Sequence, residues 1–336
     1  MVKITYEEFR EKLMDPDVPD EEIAKYLKAL PSESGPFNPV FKPDPAAVGL
    51  APQDRFEVES AMNWANGVAR WRRQVTFEQR IQTEKLPVLV SEGDSWFQFP
   101  FFLKDVIDQL GSDHLIWSLD AAGDTALNMV YGDSEYMREL RRMKRKKVRA
   151  LLFSAAGNDV IGEDSSGNPV LQTLLKPFKA GQSAAWHIDQ ARLSKILDFL
   201  EKAYREVVTT IRKEPGFARL PIIIHGYDYA IPGGFAGDVR DPAWAAQDKW
   251  LGSAMKAKKI TDVTLQREII RVLIDALHDV LARVAGDPEK THVHLADVRG
   301  TLALGEWADE IHPTDAGFKK VAKVFRKTLK EAGVAA

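Results

Sequence analysis

The chain of 336 residues contains no cysteine. That excludes disulfides, thiolate nucleophiles and cysteine-ligated zinc. Its formal net charge is only −3, so the molecule as a whole has no bias toward nucleic acid or anionic membranes. The start, Met1-Val2-Lys3-Ile4-Thr5-Tyr6, lacks the apolar run of a secretory leader. No stretch approaches the ~18 uninterrupted apolar residues of a membrane span. The expectation is a cytoplasmic protein, unless a signal-independent route exports it. The Gly-x-Ser-x-Gly elbow, His-Glu-x-x-His, the P-loop and the dinucleotide glycine fingerprint are also missing. His292 and His294 alternate on an expected strand, but no neighbouring carboxylate spacing supports a metal site. No metal or organic cofactor is expected.

What is there has the balance of a folded globular protein, 45% hydrophobic and 28% charged. Residues 1–85 read as a helical extension or arm. Short helices are expected over Tyr6–Leu13 and Glu21–Leu30. A Pro-, Gly- and Ser-rich stretch from Pro31 to Pro52 reads as a linker or wrapped loop. A long helix is expected from Phe56 to about Glu84, with Met62, Ala65, Val68 and Trp71 near one face. The arm either packs on the main domain or recruits a protein partner.

From residue 86 to 336, short apolar runs alternate with helical patterns. The runs are Pro87–Val90, Leu115–Leu119, Val148–Phe153, Pro221–Ile224 and Val293–Ala296. Helices are expected at about Phe101–Leu110, Ser134–Lys147, Gln190–Arg212, Leu265–Val284 and Asp315–Glu331. This alternation implies an α/β fold with about five parallel strands. Ligands bind beyond the carboxyl ends of such strands. Insertions near 162–186 and 227–259 begin just after strand ends. Connections this long are uncommon unless functional, and they read as pocket walls or a lid.

Small and polar residues collect at those same strand ends. Glu92-Gly93-Asp94-Ser95-Trp96 follows the first strand, Asp120-Ala121-Ala122-Gly123-Asp124 the second and Ser154-Ala155-Ala156-Gly157-Asn158-Asp159 the third. His225-Gly226-Tyr227-Asp228 follows the fourth, and Asp309-Glu310-Ile311-His312-Pro313 comes after the fifth. Acyl transfer needs an activated nucleophile, an oriented base and preorganised oxyanion donors. Ser95 can attack, His312 can take its proton and Asp309 can orient His312. The N–H groups of Ser95 and Gly123, with the Asn158 amide, can form an oxyanion hole. Trp96, His225 and Tyr227 are candidates for touching substrate.

The order and spacing of these blocks resemble the SGNH hydrolases, the GDSL-type esterases and lipases. The four family residues fall on Ser95, Gly123, Asn158 and His312, and the acid three residues before the histidine on Asp309. Tryptophan follows the serine where the family most often has leucine. The resemblance covers about residues 87–330. It implies a flavodoxin-like three-layer sandwich and a serine esterase acting through an acyl-serine intermediate. A lipid or short-chain acyl ester is the expected substrate. A carbohydrate O-acetyl ester, or a binding module served by the arm, is the alternative. A second Gly-Asp-Ser, Gly132-Asp133-Ser134, precedes a charged helical pattern and reads as a helix N-cap. The basic run Arg138–Arg149 reads as a solvated helix face, with a polyanion patch as the sharper alternative; no nucleic-acid partner is expected.

Overall fold

The computed structural model describes residues 3–30, 41–50, 61–132, 134–162 and 169–334, and no side chain over 61–64. The N-terminal segment begins with β1 (Ile4–Thr5) and a helix over Tyr6–Met14, capped reciprocally by Thr5 and Glu8. The next helix, Asp20–Ala24, stops short of its expected end. Its continuation becomes β2 (Leu27–Ala29), antiparallel to β3 (Phe41–Pro43). Leu27 and Ala29 are buried with Lys28 outward, the two-residue period of a strand. β4 (Val48–Gly49) pairs with β1. The expected linker therefore holds two short strands; its residues 31–40 and 51–52 lie outside the described ones.

The long helix runs over Ala61–Arg80. Its buried positions are Ala65, Ala69, Arg72 and Phe77, whereas Trp71 stands exposed. Phe77 meets Trp117 edge-on at 5.3 Å. Arg72 donates to the carbonyls of Leu13, Asp15 and Val18, binding this helix to the N-terminal segment.

All five expected strands form. They are β5 (Val88–Gly93), β6 (Leu115–Ser118), β7 (Ala150–Ser154), β8 (Ile222–His225) and β9 (Val293–Ala296). They make one parallel sheet in the order β6-β5-β7-β8-β9. β5 to β8 are buried at every position, as strands covered on both faces must be. The architecture is α/β, with helices flanking the sheet as in a flavodoxin-like sandwich. The order reverses between β6 and β7, across β5, so a crevice opens beyond the β5 end.

Helices over Gln190–Lys213, Val263–Ala285 and Asp315–Glu331 match their patterns closely. The expected Phe101–Leu110 helix begins only at Val106. Asp105 caps it by accepting from Ile107 and Asp108 N–H, and Phe101 takes a left-handed φ of 66° that no helix start tolerates. Ser134 does occupy the N-cap position of the Glu135–Met143 helix, but caps nothing. Its hydroxyl donates to Val130 O instead, and Asp133 lies outside the described residues.

Candidate active site

Gly93 ends β5 where no side chain fits: a Cβ there would lie 2.5 Å from the Phe97 ring. The chain turns sharply after it. Asp94 O accepts from Phe97 N and Gln98 N at 3.0 and 2.9 Å, and Ser95 rides on that turn. Its Oγ lies 2.8 Å from His312 Nε2. His312 Nδ1 lies 2.6 Å from Asp309 Oδ2. Asp309 Oδ1 also accepts from Ile311 N and His312 N at 2.8 and 2.6 Å. Burial opposes ionisation of Asp309, but these donors and the facing imidazole outweigh it and hold its pKa below the ordinary value. Ser95, Asp309 and His312 are all buried.

Asn158 opens a short helix over Gly157–Ile161, after Ala156 at a left-handed φ of 107°. Its Nδ2 donates to Asp124 O at 2.5 Å, which joins the loop after β7 to the one after β6. Gly123 has a φ of 91°, a conformation glycine adopts without steric cost. Asn66 of the long helix holds that loop from outside, accepting from Ala122 N at 3.0 Å and donating to Ala122 O at 2.9 Å.

A buried network sits beneath Ser95. Asp94 accepts from Trp96 N at 3.1 Å, Ser154 Oγ at 3.2 Å and Tyr227 OH at 2.5 Å. Burial pushes its pKa up to about 6 against those three donors. His225 belongs to this network, which corrects the expectation that it faces substrate. Its Nδ1 accepts from Tyr227 N at 3.3 Å, and Nε2 lies 2.7 Å from Ser154 Oγ. The ring stacks on Phe97 with no exposed surface, and burial lowers its pKa to about 3. It is a neutral core histidine.

Trp96 and Tyr227 do face a cavity. It measures about 60 Å³ and runs from Trp96, Tyr227 and Ile311 to Leu193, Ile270 and Leu277 on the two long helices. Its wall is almost wholly apolar. The one acid there, Asp228, turns its carboxylate to the N–H groups of Tyr229, Gly300 and Leu302.

Two contributors lie in segments marked in the sequence, but without a readable role. Trp244 Nε1 donates to Asp309 Oδ2 at 2.7 Å. Glu310 accepts from the N–H groups of Gly233, Trp250, Leu251 and Gly252 at 2.6–2.8 Å. Burial still pushes its pKa up to about 7. Both bind the 227–259 insertion to the loop carrying Asp309 and His312. Trp250 and Phe99 then meet the His312 ring edge-on at 5.9 and 4.7 Å. The described part of the 162–186 insertion gives Leu171 to the apolar cavity; residues 163–168 lie outside it.

The basic run is largely spent on the protein itself. Arg138 and Arg142 pair with Glu135 and Glu139, Arg141 with Glu214, and Lys146 with Glu78. Among the described residues no group of three His, Cys, Asp or Glu could hold a metal ion, and no helix is long and apolar enough to cross a membrane.

No family model and no curated protein matches the chain. Solved structures do overlap it. Esterase EstA from Pseudoalteromonas sp. overlaps at a TM-score of 0.35 and 10% identity, over 73% of this chain and 97% of that one. A GDSL-like lipase from Bacteroides ovatus gives 0.38 and 12%, over 73% and 53%. A salicylyl-acyltransferase from a tetracycline biosynthetic pathway gives 0.38 and 16%, over 75% and 56%. Overlaps this loose leave the residues of the site to carry the function.

Proposed function

We propose that the protein is a serine hydrolase that cleaves carboxylic esters through an acyl-serine intermediate. The observation that carries this reading is the unbroken line from Ser95 Oγ to His312 Nε2 and from His312 Nδ1 to Asp309 Oδ2, at 2.8 and 2.6 Å. Both spans lie within hydrogen-bond reach, the geometry an activated nucleophile requires.

In the proposed reaction His312 Nε2 takes the Ser95 proton as Oγ bonds to the ester carbonyl carbon. The N–H groups of Ser95 and Gly123 and the Asn158 amide receive the oxyanion. Asp309, kept ionised, stabilises the imidazolium. The carbon–oxygen bond to the alcohol then breaks, and His312 returns the proton to that alcohol. Water attacks the acyl-serine, losing a proton to His312, which passes it back to Ser95 as the carboxylic acid departs. The sum is ester plus water giving acid plus alcohol, with no cofactor.

The apolar cavity beside Trp96 and Ile311 supports an aliphatic acyl group, since its wall satisfies no polar partner. Residues 86–336 then form the hydrolase unit and 1–85 an arm built into it. The test is labelling of the full-length protein with a fluorophosphonate, alongside hydrolysis of an acyl ester. Wild type should label and turn over, and Ser95→Ala should do neither. Labelling that persists in folded Ser95→Ala would defeat the assignment.

A further inference from the structure

A second cavity, of about 340 Å³, opens on the β5–β6 side of the site, and its chemistry is the opposite of the apolar one. Glu92, Gly123, Asp124, Asn66, Asn128 and Arg70 line it. It shares the Gly123–Asp124 loop with the proposed oxyanion hole. Ala121 N donates to Gly93 O at 2.9 Å, so the loop is tied to the strand end that carries Ser95. Glu92 lies three residues before that serine.

Most polar groups here are already committed and held in place. Arg70 donates to Glu135 at 2.7 Å and to Leu119 O at 2.5 Å. Asn128 Nδ2 donates to Asp124 at 2.8 Å. Asn66 is spent on Ala122 and Gln98. Glu92 is the exception. It is 2% exposed, lines the cavity, and its Oε2 has no hydrogen-bond partner among the described residues. Below it, Asp120 turns Oδ2 to the hydroxyls of Ser91 and Ser118 at 2.6 and 2.7 Å, while its Oδ1 is also unpartnered. Buried polar atoms are nearly always satisfied. The unmet need is therefore for a ligand with hydrogen-bond donors, in a wall where Arg70, the one lining cation among the described residues, is already engaged.

Hydroxyls fit this wall better than an ammonium. Burial and the nearby Asp120 hold the Glu92 carboxyl well above its ordinary pKa. The other two acids of the wall, Glu135 and Asp124, are already met by Arg70 and Asn128. A cation would also face the Arg70 guanidinium, whereas a hydroxyl can both donate to and accept from the groups present.

We propose that this cavity binds the alcohol portion of the ester and selects a polyol, glycerol- or sugar-like, with Glu92 as its central contact. The inference rests on the hydrolase reading above. It gives the substrate two unlike halves, an aliphatic acyl group beside Trp96 and a hydroxylated alcohol beside Glu92.

The test compares three esters of one medium-chain acid: the glycerol monoester, the choline ester and the p-nitrophenyl ester. A monosaccharide ester separates sugar from glycerol. In Glu92→Gln, the ratio of kcat/KM for the glycerol ester to that for the p-nitrophenyl ester should fall about tenfold, mostly through KM. Asn128→Leu, at an exposed position of the lining, should lower the same ratio and, unlike Glu92→Gln, alters no buried side chain. An unchanged ratio in both folded variants would overturn the proposal, as would a selective loss on the choline ester. If wild type neither labels nor turns over any ester, the hydrolase reading fails by itself. Calorimetry then decides the site: the glycerol monoester should bind wild type and bind Glu92→Gln about tenfold more weakly. Absence of binding, or equal binding, would overturn it.

Discussion

Trp244 and His312 donate to the same oxygen of Asp309, at 2.7 and 2.6 Å. The indole N–H withdraws charge from the carboxylate that faces the imidazole. Trp244→Phe keeps an aromatic ring beside Phe99, its neighbour at 5.0 Å, while removing the donor and part of the indole's bulk. Asp309 Oδ2 then loses one of these two donors. Other charged groups near the pair are Asp94, whose field reaches His312, Glu310, and Arg240, which donates to Asp309 O at 2.9 Å. All three stay in place in this variant. With that donor lost, kcat should fall by about tenfold, read by steady-state kinetics on a short acyl ester. An unchanged kcat would leave Trp244 a packing residue.

Asn158 is the proposed side-chain donor to the oxyanion. Asn158→Ala should lower kcat on the order of 10²–10³-fold with little change in KM. Steady-state kinetics on a short acyl ester checks this. Asp124 O also loses a donor in this variant, so thermal melting should accompany the assay.

The apolar cavity predicts a chain-length effect. Leu197 lines it from the Gln190–Lys213 helix and is half-buried. Leu197→Trp should lower kcat/KM for octanoyl esters about tenfold relative to acetyl esters, because the acyl chain loses room for about two methylenes at about 0.8 kcal/mol each. Equal loss on both substrates would move the acyl group elsewhere.

The arm should prove inseparable from the core. Arg73 of the Ala61–Arg80 helix donates to Phe97 O, two residues past Ser95, and to Asp105 and Asp108 at 2.5 and 2.8 Å. Asp105 is fully buried. Arg73→Met strands that carboxylate and should destabilise the fold by about 3–5 kcal/mol, read by urea unfolding.

Glu310 makes stability depend on pH. Its pKa of about 7 in the folded chain lies above its ordinary 4.5. The raised value means its contribution is fully present below about pH 4.5 and is lost as pH climbs through 7. A shift of that size amounts to roughly 3 kcal/mol. Urea unfolding between pH 4.5 and 8 should show this decline, and Glu310→Gln should flatten it.

Much of this architecture was legible because buried parallel strands announce themselves. Val88–Val90, Leu115–Trp117 and Ile222–Ile224 are short apolar runs ended by small polar residues, and the site gathers at those ends. The errors have local causes. Tyr26, Leu27 and Leu30 fit a helical spacing, yet pairing with Phe41–Pro43 makes a strand of Leu27–Ala29; tertiary contacts override propensity there. Trp71 looked like part of a buried face and is exposed, while Arg72 is buried because three carbonyls await it. Trp244 and Glu310 stand in segments that the sequence marks, an expected pocket wall and the histidine block, but their roles could not be read. They lie in stretches without periodicity, and their partners are distant in sequence.

The separation of 217 positions between Ser95 and His312 has a consequence for any partial chain. A fragment ending between residues 158 and 312 would carry the proposed nucleophile, the Gly123 loop and Asn158, and would still lack the proposed base. Parallel strands joined by long crossovers close only through distant contacts, which form slowly. On the proposed reading, fragments cut inside the Gln190–Lys213 or the Val263–Ala285 helix should be inert toward esters.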